Sequence, residues 1–432
     1  MIWNVQKECM SSEEKHELQS ARLRKLVNDL YHNSPFYRQK LQELDILPGD
    51  IRSIDDITRL PFTTKDDLRT HYPYGLVSVP MTKIIRLHAS SGTTGNPTVV
   101  GYTRHDLTVW AETVARCLSA YGADHNDIFS VAYGYGLFTG GLGLHYGIEN
   151  IGATVVPTSS GNTAKHIRLI HDLGITALAC TPSYALYMAD MLNTSADGRH
   201  GTRLRLGIFG AEPWTENMRR EIEEKLGIKA YNIYGLSEIM GPGVAHECEC
   251  RNGSHIIDDH FYPEIVDPET LRPLPDGRQG ELVITTLTKE GMPLLRYRTK
   301  DLCSLTHEKC ECGRTSTRIS RIAGRSDDML IVRGVNVFPS QIEGVILETG
   351  ELEPHYRIIV DRKDNRDEMT VEVERRRENG TGNVATPELQ SKTATRLHDI
   401  LGINATVRIV PPDTIQRCEG KTKRVIDNRQ LH

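Results

Sequence analysis

The 432-residue sequence contains no apolar run approaching the roughly 18 residues of a membrane-spanning helix. It also lacks a basic excess: 52 Lys and Arg against 57 Asp and Glu leave a net charge of −5. With that balance there are no surplus cations to neutralise phosphate backbones, which argues against a dedicated nucleic-acid binder. The opening stretch, MIWNVQKECMSSEEKHELQ, is polar and acidic and has no apolar centre like that of a secretory leader. The expectation is a cytoplasmic protein that engages neither nucleic acid nor membrane. No internal repeat of solenoid length is visible. A GxxxxGK[ST] phosphate loop is absent, and the Rossmann fingerprint fails because Gly134-Tyr135-Gly136 puts Thr139 where the third glycine belongs. Nine cysteines, an odd number in a large intracellular chain, argue against a disulfide framework.

What is present is ordinary folded-protein composition, 38% hydrophobic and 25% charged, over a length that suggests two or more domains. Ser11 and Glu14 have capping-box spacing, and Leu23, Leu26, Val27 and Leu30 follow at helical intervals, predicting an amphipathic scaffold helix. From about 84 to 235, short β-rich runs alternate with helical patterns. The candidate strands are Ile84–His88, Ile128–Tyr133, Ala153–Pro157, Thr176–Cys180, Leu204–Phe209 and Ala230–Ile233. Such alternation implies α/β architecture, with parallel or mixed sheets covered by helices. Residues 281–323 read as a more β-rich module. Beyond Gly324-Arg325, Met369, Val371 and Val373 alternate with polar neighbours, as do Ala405, Val407 and Ile409, around a helical pattern from Pro387 to Leu401. That reads as a small α+β domain of residues 326–432 following a large one of 1–325, with the boundary near Ser326-Asp327.

Four segments carry chemistry. His88-Ala89-Ser90-Ser91-Gly92-Thr93-Thr94-Gly95-Asn96-Pro97-Thr98 joins small hydroxyl side chains to glycines after a β run, the composition of a loop that grips phosphate through backbone N–H groups. Taken alone, it is as readily a Ser/Thr-rich turn. Tyr231-Asn232-Ile233-Tyr234-Gly235-Leu236-Ser237-Glu238 places an aromatic, a glycine, a hydroxyl and a carboxylate at a strand end, where α/β sheets hold ligands. Tyr297-Arg298-Thr299-Lys300-Asp301 followed by Gly324-Arg325-Ser326-Asp327-Asp328 is the third, and Gly420-Lys421-Thr422-Lys423-Arg424 the fourth. The last, by itself, reads as a solvated charged tail.

Taken in order, SSGTTGNPT, GAEPW, YGLSE, YRTKDL, GRSDDMLIVRGVNVFPSQIE and GKTKRVID resemble the adenylate-forming superfamily, and within it the phenylacetate–CoA ligase family. The resemblance covers essentially the whole chain and implies a large AMP-binding domain followed by a small mobile lid. It also implies two half-reactions: acid plus ATP gives acyl-AMP and pyrophosphate, and CoA then displaces AMP. The logic is physical, because a carboxylate is a poor electrophile until adenylation neutralises it and supplies a leaving group. The attacking species is the CoA thiolate.

Residue by residue, the resemblance implies that Ser90, Ser91, Gly92, Thr93, Thr94 and Gly95 hold the β/γ-phosphates, with Asn96 standing where many relatives carry Lys. Gly210, Ala211, Glu212 and Pro213 would flank adenine, with Tyr234 against the base and Gly235 and Ser237 in the same nucleotide-binding segment. Asp301 would accept the ribose hydroxyls, with Arg325 beside the sugar and phosphate. Glu238 would hold Mg²⁺, a hard ion that prefers oxygen ligands. Asp327 aligns with the hinge, and Lys421, rather than its neighbour Lys423, aligns with the mobile lysine that stabilises charge developing during adenylation. Tyr133 to Gly141 combines aromatics with glycines, and Tyr135, Gly136 and Phe138 are the candidates for an aryl-acid pocket; a loop carrying core aromatics is the competing reading.

Cys248-Glu249-Cys250 and His255 lie some sixty residues before Cys310-Glu311-Cys312. Soft ligands from two segments suit structural Zn²⁺, with Cys248, His255, Cys310 and Cys312 as ligands, Cys250 in reserve and His246 spare. The expected ligands are thus ATP, Mg²⁺, CoA, a small carboxylic acid and Zn²⁺, with room left for a homodimer. A carrier-protein thiol as acceptor and a catalytically silent nucleotide binder are the alternatives.

Overall fold

The protein is described by a computed structural model covering residues 1–90, 97–194, 198, 201–212, 214–326, 330–332, 335–363, 366–376, 387–416 and 424–429. The opening capping box forms: Ser11 Oγ accepts from Glu14 N at 3.2 Å and Glu14 Oε2 accepts from Ser11 N at 2.8 Å. It starts the helix Ser12–Asn33, whose Leu23, Leu26, Val27 and Leu30 are buried.

β1 (Arg86–Ala89) and β2 (Val99–Tyr102) pair only with each other, antiparallel. This corrects the expectation that the run beginning at Ile84 opens the alternating sheet. The chain turns back at once, and Ser90 N donates to Thr98 O at 3.0 Å across the base of the intervening segment. Regular alternation starts with β3 (Ile128–Val131), β4 (Thr154–Val156), β5 (Ala177–Cys180), β6 (Leu206–Phe209) and β7 (Lys229–Leu236). These five are parallel in the order 4-3-5-6-7. The uninterrupted apolar runs ALAC and LGIF are buried throughout, as central strands covered on both faces require. β8 (Gly241–His246) and β9 (Ser254–Ile256) then return antiparallel.

β10 (Phe261–Val266), β11 (Gly280–Thr286), β12 (Tyr297–Cys303) and β15 (Gly324–Arg325) form a separate antiparallel sheet in chain order, and β13 (Leu305–Thr306) and β14 (Arg318–Ile319) extend the large one. The nine-stranded sheet therefore switches from parallel to antiparallel at β7, so the segments after β3, β6 and β7 leave the sheet on the side of the parallel carboxyl ends.

β16 (Leu330–Val332) and β17 (Val335–Val337) make a hairpin. The helix Pro339–Glu348, β18 (Leu352–Lys363), β19 (Arg366–Arg375), the helix Pro387–Leu401, β20 (Thr406–Val410) and β21 (Val425–Asp427) follow. The sheet order is 20-19-18-21, and Met369, Val371 and Val373 point into an apolar cluster whose buried members, among the described residues, run from Leu330 to Ile409, with Val425 packed against it. The two buried clusters of the preceding body reach no further than Ile319. Leu347 packs against the cluster containing Phe209 and Trp214, and Arg376 Nη2 meets Glu221 Oε1 at 2.6 Å, so the bodies touch on one side. No helix among the described residues is long and apolar enough to cross a membrane.

Candidate active site

Among the described residues, the segments around Gly210, Tyr234, Asp301 and Arg325 come together at the carboxyl ends of the parallel strands. Beyond β6, Gly210 is so close to β7 that a Cβ there would lie 2.3 Å from Ile233 O, and Ala211 takes a left-handed φ of 70°. A non-glycine residue in that region stores backbone strain, which recurs at binding sites. Glu212 Oε1 accepts Ser183 N at 2.7 Å, which ties the segment to the start of the helix Pro182–Thr194. Tyr133, beyond β3, donates its hydroxyl to Cys180 O at 2.5 Å.

Beyond β7, Gly235 sits at a register shift where a Cβ would be 1.7 Å from Gly241 O, so no other residue fits. Tyr234 Oη donates to Asp301 Oδ2 at 2.6 Å. Burial, and then the charge of Asp301, push the Tyr234 phenol well above its ordinary pKa, so it remains a donor. Arg325 Nη1 meets the other Asp301 oxygen at 3.1 Å. That pairing is built into the ladder, because Asp301 on β12 and Arg325 on β15 are direct cross-strand partners. Three residues separated by up to 91 positions thus share one carboxylate at the edge between the two sheets.

The turn after β7 buries Ser237 and Glu238. Ser237 Oγ lies 3.0 Å from Thr139 Oγ1, and Lys65 Nζ lies 3.7 Å from Glu238 Oε1. Lys289 Nζ donates to Glu238 O at 3.0 Å and Ile239 O at 2.7 Å. Burial lowers the pKa of Lys289 to about 8, against the opposing pull of Asp106 and Glu238. Lys65 and Lys289 were not singled out from the sequence. They come from a short helix, Lys65–Thr70, and a loop, with no periodicity or motif pointing at Glu238.

Tyr135, Gly136 and Phe138 occupy the loop from β3 to the helix Thr139–Asn150. Tyr135 Oη lies 3.3 Å from His145 Nδ1, and a Cβ on Gly136 would meet open space. The loop is fastened to the hairpin: Leu137 O accepts Ala89 N at 2.9 Å and pairs with His88 Nδ1 at 3.0 Å. Ser90, at the end of that hairpin, turns its hydroxyl back to accept Thr98 N at 3.2 Å. Ser91, Gly92, Thr93, Thr94, Gly95, Asn96, Pro213, Asp327, Lys421 and Lys423 lie outside the described residues.

A second cluster lies apart from these groups. Cys248, His255, Cys310 and Cys312 bring their ligand atoms within 4.8 Å of one another. Cys248 Sγ and Cys310 Sγ are 3.7 Å apart, and Cys312 Sγ and His255 Nε2 are 3.5 Å apart. A tetrahedron with Zn–S bonds of about 2.3 Å has edges of about 3.8 Å, so the donor set and its spacing fit that ion. His255 Nδ1 lies 2.9 Å from Ser316 Oγ, which turns Nε2 towards the cysteines. Hydrogen bonds from Cys248, then from His255 and Arg314, hold Cys312 far below the usual thiol pKa.

A strained segment after β6, a carboxylate shared across a sheet edge and a buried glutamate after β7 thus gather beyond the parallel strands. The AMP-binding enzyme family matches residues 41–288, and the AMP-binding enzyme C-terminal domain matches 334–429. The phenylacetate–coenzyme A ligase of Thermus thermophilus is 49% identical over 446 residues, spanning 100% of each chain. A solved 2-hydroxyisobutyryl-CoA ligase in its postadenylation state superposes with a TM-score of 0.93 at 29% identity, covering 99% of this chain and 92% of that one. The same protein in its thioesterification state gives a TM-score of 0.74 at 30% identity, covering 99% and 93%. The chain belongs to the phenylacetate–CoA ligase family of adenylate-forming enzymes, and it is an ATP-dependent, AMP-forming acid–CoA ligase.

Proposed function

We propose that the acid is phenylacetate or a close aryl relative, activated as its adenylate and passed to free CoA in the cytoplasm. The observation that carries this is 49% identity over the entire length of a phenylacetate–coenzyme A ligase. The aromatic and glycine-rich loop with Tyr135, Gly136 and Phe138 fits a flat apolar acid. Ribose hydroxyls approaching Asp301 would find a desolvated carboxylate, with Arg325 next to it for the α-phosphate. Adenine would lie between Tyr234 and the Gly210–Pro213 segment, with Gly235 and Ser237 lining the same crevice. Ser90 to Gly95 would close over the β- and γ-phosphates.

Glu238 offers a buried, hard oxygen for Mg²⁺, which when bound would neutralise phosphate charge. Lys421 is the cation for the adenylation step, delivered by a lid of residues 326–432 that hinges at Asp327. The better fit to a postadenylation structure, a TM-score of 0.93 against 0.74, favours an adenylation-side arrangement of the two bodies. Zn²⁺ on Cys248, His255, Cys310 and Cys312 would be structural, fastening the strand region after Glu238 to the β-rich module. A homodimer is compatible with this reading.

The test is a panel of aryl- and alkyl-carboxylates read by AMP release, with CoA and a carrier protein compared as acceptors. Phenylacetate with CoA should give the highest kcat/KM. A short aliphatic acid that outruns every aryl acid, or turnover only with the carrier thiol, would overturn the proposal.

A further inference from the structure

The turn that carries Glu238 is held in an unusual way. All four of its carbonyls, Ser237 to Met240, are taken by just two side chains. Tyr102 Oη is 3.2 Å from Ser237 O and 3.1 Å from Met240 O. Lys289 Nζ takes the two between, Glu238 O and Ile239 O. The two grips are also coupled to each other, because the ammonium lies 4.8 Å from the centroid of the Tyr102 ring. Tyr102 in turn stacks on Trp110 with ring centroids 5.1 Å apart.

The loop that presents Lys289 is itself anchored. Asp106 Oδ1 accepts Glu290 N at 2.7 Å, Asp106 Oδ2 accepts Gly291 N at 2.9 Å, and the same oxygen accepts Thr103 N at 2.8 Å. One carboxylate therefore pins the lysine loop to the N-terminus of the helix Arg104–Ala120. A buried ammonium is costly to keep away from water, and a turn needing only packing would be held more cheaply by an apolar side chain. Here the charge is directed at backbone oxygens flanking the side chain that must face a metal–phosphate complex.

We propose that Lys289 is a positioning residue for adenylation: with Tyr102 it clamps the 237–240 backbone so that the Glu238 carboxylate stays aimed at the metal-bound phosphates of ATP. This rests on the reading of Glu238 given above. The clamp matters to the half-reaction that uses pyrophosphate and Mg²⁺, and it is idle when acyl-AMP is supplied ready-made.

The experiment compares Lys289→Met, Tyr102→Phe and Glu238→Gln in acid-dependent pyrophosphate exchange, and in thioester formation from supplied phenylacetyl-AMP and CoA. Lys289→Met should lower exchange kcat by about 30-fold or more and raise the Mg²⁺ concentration for half-maximal rate at least about fivefold, the scale of a lost charge-assisted contact. The KM for phenylacetate should stay within about twofold, and thioester formation from phenylacetyl-AMP within about threefold. Tyr102→Phe, which removes the other two contacts, should shift the same parameters in the same direction, and it decides the matter if Lys289→Met does not fold. Equal loss of both half-reactions, or an unchanged Mg²⁺ requirement in both variants, overturns the clamp. Wild-type exchange in Glu238→Gln would instead overturn the reading of Glu238 on which the clamp depends.

Discussion

Asp301→Asn is the sharpest probe of the nucleotide site. In the wild-type fold the carboxylate is buried at the sheet edge, takes the Tyr234 hydroxyl at 2.6 Å and faces Arg325 at 3.1 Å. An amide of nearly the same shape keeps the packing but removes the charge that makes this group a strong double acceptor. A hydrogen bond to a charged group contributes about 1.5–3 kcal/mol, and a neutral one about 1 kcal/mol. If Asp301 accepts both ribose hydroxyls as proposed, downgrading the two contacts should cost about 2–3 kcal/mol of binding, or about 30- to 150-fold in kcat/KM for ATP. The assay is phenylacetate-dependent pyrophosphate exchange at varied ATP, repeated with 2′-deoxy-ATP. Wild type should discriminate against the deoxynucleotide, and Asp301→Asn should lose most of that discrimination. A thermal melt on the same preparations separates a binding defect from unfolding. A change in kcat/KM below about threefold, or undiminished discrimination in a folded variant, refutes the reasoning.

Lys421→Ala should abolish pyrophosphate exchange while leaving thioester formation from supplied acyl-AMP largely intact; equal loss of both would remove its assigned role. Chelator-washed protein should retain about one zinc per chain, and Cys310→Ser should melt about 5–10 °C lower, since a metal closing two distant segments contributes several kcal/mol. Metal analysis and calorimetry check both statements, and a zinc-free, fully stable preparation contradicts them. His260, whose pKa is pushed down to about 3 chiefly by burial, must stay neutral in the fold while its unfolded counterpart titrates near 6.5. The unfolded state then binds more protons, so stability should fall as pH drops from about 6.5 towards 3, at up to about 1.4 kcal/mol per pH unit. His260→Asn should flatten that slope in denaturant titrations, and an unchanged slope would exclude His260 as its source.

Local rules carried the sequence reading wherever one element satisfied itself. The Ser11–Glu14 box, the alternation of Met369, Val371 and Val373, and the helix from Pro387 to Leu401 all formed as spacing predicted, because each depends on neighbours within a few positions. The Cys248, His255, Cys310 and Cys312 grouping was also legible, since few residue types bind soft metals and all four sit close together. The β1–β2 hairpin was misjudged as the start of the large sheet. A short run such as Ile84–His88 reads the same whether its partner is parallel and distant or antiparallel and next in the chain. Lys65 and Lys289 were invisible because nothing in a lone lysine's sequence context reveals that folding will bring it to Glu238 from about 170 or 50 positions away.

The separate apolar clusters have a practical corollary for spectroscopy. All three tryptophans, Trp3, Trp110 and Trp214, precede the first residue of the cluster that begins at Leu330. Tryptophan emission therefore arises from the leading body alone, and loosening of the trailing one would register in it only through Trp214, whose cluster Leu347 packs against. A fluorophore on the trailing body, or calorimetry resolved into components, is needed before any single midpoint is assigned to the whole molecule.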